Sequence, residues 1–145
     1  MYRVMIIDDE KALRNLLKAS VDWQEMGLEV VGEAASGIEA INIIDKLRPD
    51  IIFVDIRMPF MDGIEFSKIA LKRYRQMKII ILTAFDEFEY AKEAVHLEIK
   101  EYMLKPISAT ELSDSLVKLK NTLDKEREEK LNVKKLEDYF QEVLP

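Results

Sequence analysis

Five short apolar runs, at residues 3–7, 28–31, 51–54, 78–82 and 101–104, punctuate the chain, and the first, third and fourth are nearly continuous in Val, Ile, Leu, Met and Phe. Runs of that kind suit strands covered on both faces of a parallel sheet. The segments between them carry helical spacing. Ala12, Leu13, Leu16, Leu17 and Val21 fit one apolar stripe, as do Ile38, Ala40, Ile41, Ile44 and Leu47, and then Ile64, Phe66, Ile69, Ala70 and Tyr74. A fourth helix would turn Phe88, Ala91, Ala94, Val95 and Leu97 inward, and a fifth would begin after Pro106 with Ser108 or Thr110 as its cap. Strand and helix thus alternate five times. That alternation predicts an α/β fold, a five-stranded doubly wound parallel sheet with right-handed crossovers. Sites in such sheets form at the carboxyl ends of the strands.

Composition narrows the chemistry. With no cysteine and a single histidine, His96, the chain has no disulfides, Cys/His zinc sites or thiol catalysis. Its four scattered glycines form no phosphate-cradling loop motif. The net charge of -6 is uneven, because residues 118–142 hold seven basic and seven acidic side chains, so the acidic excess lies in residues 1–117. An acidic globular part is a poor grip for nucleic acid and a natural one for a cation or cationic partner. No run of about 18 apolar residues is present and the first strand-like run begins at Arg3, so the expectation is a cytoplasmic protein without a membrane segment.

Trp23, the only tryptophan, is expected to pack at the sheet edge rather than stack on a ligand. From Leu112 the helical pattern meets no Gly or Pro until Pro145. Leu112, Leu116, Leu119 and Leu123 can pack on the sheet. A second set, Val133, Leu136, Phe140 and Val143, lies beyond reach of a compact domain, since 20 helical residues extend about 30 Å.

Asp8 and Asp9 follow the first strand and Asp55 the third, so adjacent strands would bring the three together. Two carboxylates about 4 Å apart repel by roughly 4 kcal/mol at an effective dielectric near 20. A divalent cation is the simplest remedy, and oxygen-only ligands favour Mg2+, or Mn2+, over zinc. Thr83 ends the fourth strand with a hydroxyl and Lys105 closes the last with an ammonium. Taken singly, such acidic residues also serve as helix caps or solvated loop charges. Taken together, the five suit the binding or acceptance of a phosphoryl group.

The runs Ile7-Asp8-Asp9-Glu10, Val54-Asp55-Ile56-Arg57-Met58-Pro59 with Met61-Asp62-Gly63, Leu82-Thr83-Ala84 and Tyr102-Met103-Leu104-Lys105-Pro106 resemble the receiver domain of two-component response regulators over about residues 1–120. The resemblance implies a flavodoxin-like strand order 2-1-3-4-5. It implies that Asp55 accepts a phosphoryl group from a phosphohistidine on a sensor histidine kinase. Asp9 and Asp55 would coordinate Mg2+ directly with the backbone carbonyl of Arg57, and Asp8 through water. Lys105 would pair with phosphoryl oxygens, aimed by a cis peptide at Pro106. Thr83 and Tyr102 would form a switch pair, altering the face built from the fourth helix, fifth strand and fifth helix. Glu98 departs from the family pattern, which usually has Gly there, and His96 is expected at a surface or interface.

Asp22-Trp23 with Gly27, Val31-Gly32-Glu33-Ala34 and the run from Phe85 to Ala91 are similar to the receiver subgroup joined to AraC-type helix-turn-helix output domains. By this resemblance, residues 1–120 are the receiver and 121–145 a helical linker toward an absent output domain, through which alone DNA would be bound. A homodimer is expected through the fourth helix–fifth strand–fifth helix face or the C-terminal helix. Two alternatives stay open: a stand-alone receiver, and a Mg2+-dependent phosphatase with an aspartyl nucleophile. The latter enzymes want a second Asp two positions after the first, where this chain has Arg57. The expected activity is not enzymatic beyond self-phosphorylation from small donors and autodephosphorylation.

Overall fold

The computed structural model describes residues 1–84, 99 and 101–143. The expected fourth helix, with His96 and Glu98, lies outside the described residues. In chain order the elements are β1 (Tyr2–Ile7), α1 (Lys11–Ser20), β2 (Leu28–Ala34), α2 (Gly37–Leu47), β3 (Ile51–Asp55), α3 (Gly63–Arg73), β4 (Lys78–Thr83), β5 (Glu101–Leu104) and a C-terminal helix (Ala109–Val143). The strands form one sheet ordered β2-β1-β3-β4-β5, every pair parallel.

Burial explains the continuous apolar runs. All five residues of β3 are buried, as are all of β4 but its first. Met5, Ile7, Ile52, Val54, Ile79 and Ile81 meet Ala40 and Ile44 of α2 and Ile64, Phe66 and Ala70 of α3 in one core cluster. On β3, Phe53 meets Trp23 edge to face, with ring centroids 6.1 Å apart. Trp23 is therefore a packing residue, but against the central strand rather than at the sheet edge. Its indole N–H donates to the Lys18 carbonyl at 3.0 Å.

Three local features depart from the apolar periodicity. First, β2 continues past Val31 to Ala34, because it pairs with β1 as far as Ile7↔Ala34 after a register shift at Val4/Met5. Gly32 lies just past that shift, and a Cβ there would stand 2.4 Å from Cδ1 of Leu47. Second, α1 turns Leu17 into the core while Ala12 and Leu16 are exposed. The helix is rotated so that Arg14 and Lys18 both reach Glu33 of β2. Third, Ile38 at the start of α2 is exposed. The helix caps are conventional. Ser36 Oγ accepts from the Glu39 amide while the Glu39 carboxylate accepts from the Ala35 amide. Asp62 caps α3 through the Glu65 amide, and Ser108 caps the C-terminal helix through the Glu111 amide.

The chain divides into two compact units, Met1–Ser113 and the helical stretch from Asp114 onward. Along the C-terminal helix Leu112, Leu116, Leu119 and Leu123 are buried, whereas Leu131, Val133, Leu136, Tyr139, Phe140 and Val143 are exposed. Among the described residues, no helix is long and apolar enough to cross a membrane.

Candidate functional site

Strand register assembles the site. Ile7 pairs with Val54, so Asp8 and Asp55, the next residues, lie side by side at the carboxyl edge of the sheet. Asp55 pairs in turn with Leu82, and Thr83 with Leu104, which puts Thr83 and Lys105 on the same edge. One carboxylate oxygen from each of Asp8, Asp9 and Asp55 falls within 4.8 Å of the others. Asp8 and Asp55 are buried and Asp9 is exposed.

Lys105 Nζ stands 3.0 Å from Asp55 Oδ1 and 3.4 Å from Asp8 Oδ2. At an effective dielectric near 20, each of these attractions is on the order of 5 kcal/mol and the Asp8–Asp55 repulsion on the order of 3–4 kcal/mol. One ammonium therefore outweighs the repulsion between the two buried carboxylates without neutralising both, and Asp9, facing solvent, adds to the surplus negative charge. Burial raises the Asp8 carboxyl above its ordinary value, against the Glu10 amide and Lys105, which favour the anion. Burial lowers Lys105, but its hydrogen bond to Asp55 and the charges of Asp55 and Asp8 outweigh that and hold it above its ordinary value.

The raised Lys105 value has a sign for stability. The folded chain holds this proton more tightly than the unfolded one, so the stabilisation is complete below the ordinary value of 10.5 and is lost as pH rises through the raised one. Lys105→Met should thus flatten the alkaline limb of a denaturant-stability profile and lower stability at neutral pH by about 1–2 kcal/mol. An unchanged alkaline limb would refute the assigned ion pairs.

Asp8 Oδ1 accepts from the Glu10 amide at 2.9 Å. Asp8 Oδ2 is buried and takes no hydrogen bond. A buried carboxylate oxygen in that state, beside two further carboxylates and, among the described residues, no nitrogen or sulfur ligand, fits a hard divalent cation of the Mg2+ type. The Thr83 hydroxyl donates to the Ala84 carbonyl at 3.0 Å, and Tyr102 on β5 is exposed. The Arg57 side chain is exposed. The Lys105–Pro106 peptide is cis.

Five polar residues converging on one edge of a 2-1-3-4-5 sheet have a counterpart among known proteins. A family model described as the response regulator receiver domain matches residues 4–117. The chain belongs to that family. The receiver domain of AraT, a response regulator from Geobacillus stearothermophilus, superposes with a TM-score of 0.84 at 39% identity, covering 87% of this chain and 98% of that one. A two-component transcriptional regulator AraC from Clostridium phytofermentans gives 0.82 at 34% identity, over 88% and 98%. The transcriptional regulatory protein HptR of Staphylococcus aureus strain N315 is 32% identical over 146 residues, 99% of this chain and 57% of its own length. The chain spans between 32% and 57% of the length of curated relatives that it matches. The fold is the flavodoxin-like receiver fold, and the family places the chain in two-component signalling.

The sequence placed Gly63 in a motif without showing its reason, and Arg14 escaped the reading altogether. Gly63 donates its amide to the Ile56 carbonyl at 2.8 Å and lies so close to β3 that a Cβ would stand 2.3 Å from the Asp55 carbonyl oxygen. Arg14, six residues past Asp8, donates from Nη1 to the Asp8 carbonyl at 2.6 Å. A basic residue in the first turn of the helix that follows an acidic strand end was the available signal.

Proposed function

We propose that this receiver accepts a phosphoryl group on Asp55 from a phosphohistidine of a sensor histidine kinase and relays the event, in the cytosol, to a DNA-binding output domain. The observation that carries the reading is the pairing of Asp55 with Lys105 beside two more carboxylates. A carboxylate oxygen of Asp55 attacks phosphorus, the P–N bond breaks, and the imidazole departs with the bonding pair. Lys105, already within 3.0 Å of Oδ1, turns its charge to the phosphoryl oxygens that arrive. Asp9 and Asp55 would hold Mg2+ together with the Arg57 carbonyl, and Asp8 would assist through water. The ion supplies positive charge to the phosphoryl oxygens.

Phosphorylation adds about -1.5 to -2 of charge and three acceptors. The Thr83 hydroxyl then exchanges the Ala84 carbonyl for a phosphoryl oxygen, and Tyr102 moves from its exposed position toward the space Thr83 leaves. Incubation with acetyl phosphate and Mg2+ should add one alkali-labile, hydroxylamine-labile phosphate, and EDTA should prevent it. Steady turnover of a phosphate ester would instead favour the phosphatase reading, which the Arg57 position disfavours.

Residues 1–120 are the receiver in this reading and 121–145 a linker toward an output of AraC type, supported by the subgroup motifs and by the AraC regulator's structural likeness. The distal apolar residues of the linker suit pairing with a second copy. At about 100° per residue, the stripe through Val133, Leu136, Phe140 and Val143 is displaced by about a third of a turn from that through Leu112, Leu116, Leu119 and Leu123, so it faces a different neighbour. Sedimentation should reveal dimers that Leu136→Glu with Phe140→Glu disperses. A strictly monomeric chain, with and without beryllofluoride, would assign the stripe to the following domain.

A further inference from the structure

Among the three clustered carboxylates, two are steered by bonds to their own oxygens and one is not. Asp55 is held by Lys105, and Asp8 by the Glu10 amide with Lys105 alongside. Among the described residues, the Asp9 carboxylate takes no hydrogen bond or ion pair. Its place in the cluster is therefore set by the main chain, and above all by the plane of the Asp8–Asp9 peptide.

Both main-chain groups of Asp8 are held, the carbonyl belonging to that peptide and the amide to the one before it. The Asp8 amide donates to the Ala34 carbonyl at 3.1 Å, and the Asp8 carbonyl oxygen accepts from Arg14 Nη1 at 2.6 Å. The clamp is itself fixed. Arg14 Nε donates to Glu33 Oε1 at 3.0 Å, and Lys18 Nζ holds Glu33 Oε2 at 2.6 Å. The Lys18 hydrogen bond and the Arg14 contact keep Glu33 below the ordinary carboxylate range despite partial burial. With one nitrogen on β2 and another on the Asp8 carbonyl, the planar guanidinium has a single orientation, and its side chain is only 13% exposed.

We infer that Arg14, anchored by Glu33, is a positioning residue for the divalent cation: it fixes the Asp8–Asp9 peptide and thereby presents the Asp9 carboxylate to the ion. The inference rests on the phosphoacceptor reading of the acidic cluster. Two competing accounts predict other outcomes. If Arg14 acted only through its charge, removing a cation near a cation site would tighten Mg2+ binding. If it only braced the fold, its loss would lower stability and leave the affinity of the folded protein unchanged. Positioning predicts weaker binding, and partners that orient metal ligands are worth roughly 10–100-fold in affinity.

The experiment titrates Mg2+ alone into the 145-residue chain by calorimetry at fixed ionic strength, with stability measured separately in EDTA by denaturant. Arg14→Met should bind Mg2+ about tenfold more weakly. Arg14→Lys keeps the charge but cannot bridge Glu33 and the Asp8 carbonyl, so it should bind more weakly than wild type too. If Arg14→Met does not fold, Arg14→Lys decides the matter. In labelling with acetyl phosphate, the half-saturating Mg2+ concentration should rise while the rate at saturating Mg2+ stays near wild type. Unchanged or tighter binding in the folded variants overturns the inference and leaves the phosphoacceptor reading intact. No Mg2+ binding by the wild-type chain would overturn both.

Discussion

Asp55→Asn is expected to take up no phosphate from acetyl phosphate and Mg2+, its labelling rate falling on the order of a thousandfold or more, as when the nucleophile of a covalent step is removed. The prediction singles out Asp55 from three neighbouring carboxylates, and the geometry says why. Asp8 is fully buried, with Oδ1 held by the Glu10 amide, so it is the least open to an incoming phosphoryl group. Asp9 is exposed, and among the described residues no ammonium pairs with it to receive the charge of an incoming phosphoryl group. Asp55 sits at the end of β3 with Lys105 3.0 Å from one oxygen. The variant should remain folded, because Asn is isosteric and removing one charge eases the mutual repulsion of the cluster. Labelling of Asp55→Asn at the wild-type rate would move the phosphoacceptor elsewhere, and Asp8→Asn and Asp9→Asn would then locate it.

The same site shows what a sequence can and cannot disclose. Each of Asp8, Asp55, Thr83 and Lys105 ends or directly follows an apolar run. A parallel sheet converts that one-dimensional fact into a common edge, because all carboxyl ends of its strands point the same way. The parts that stayed hidden depend on bonds between distant residues. Apolar periodicity assigned Leu16 to the inner face of α1, whereas the helix is turned by Arg14 and Lys18 reaching Glu33, which lies 19 and 15 residues away in sequence. The extension of β2 depends on a register shift against β1 that no property of residues 28–34 reports alone. Trp23 was legible as a packing residue, yet its partner Phe53 belongs to a strand that only the folded order brings near it. Gly63 carried a family motif, but its reason is the backbone of Asp55, visible only once α3 is docked.

That close approach sets the second large effect. In Gly63→Ala the new methyl would stand 2.3 Å from the Asp55 carbonyl oxygen and 3.0 Å from the Asp55 carbonyl carbon and the Ile56 Cα, all main-chain atoms. Neither side can yield cheaply. The end of β3 is paired with β4 through Asp55↔Leu82 and continued by the Ile56 amide donating to the Leu82 carbonyl at 3.0 Å. The start of α3 is held by the Asp62 cap and by the Gly63 amide bonded to Ile56. Alanine would gain up to about 1 kcal/mol in helix propensity, and the overpacking should outweigh it, for a net loss of about 3 kcal/mol. That corresponds to a fall of roughly 10 °C in the melting temperature. Because the displaced atoms belong to Asp55, its contact with Lys105 is lost as well, and labelling and Mg2+ binding should both fall in the fraction that still folds. Gly32→Ala is the matched control: its Cβ would meet Cδ1 of Leu47 at 2.4 Å, the movable end of a side chain rather than main chain. Leu47 can change rotamer, so that variant should lose about 1 kcal/mol and label at the wild-type rate. Equal losses in the two variants would mean that the Gly63 requirement is general crowding, whereas a labelling defect confined to Gly63→Ala ties it to the position of the Asp55 main chain.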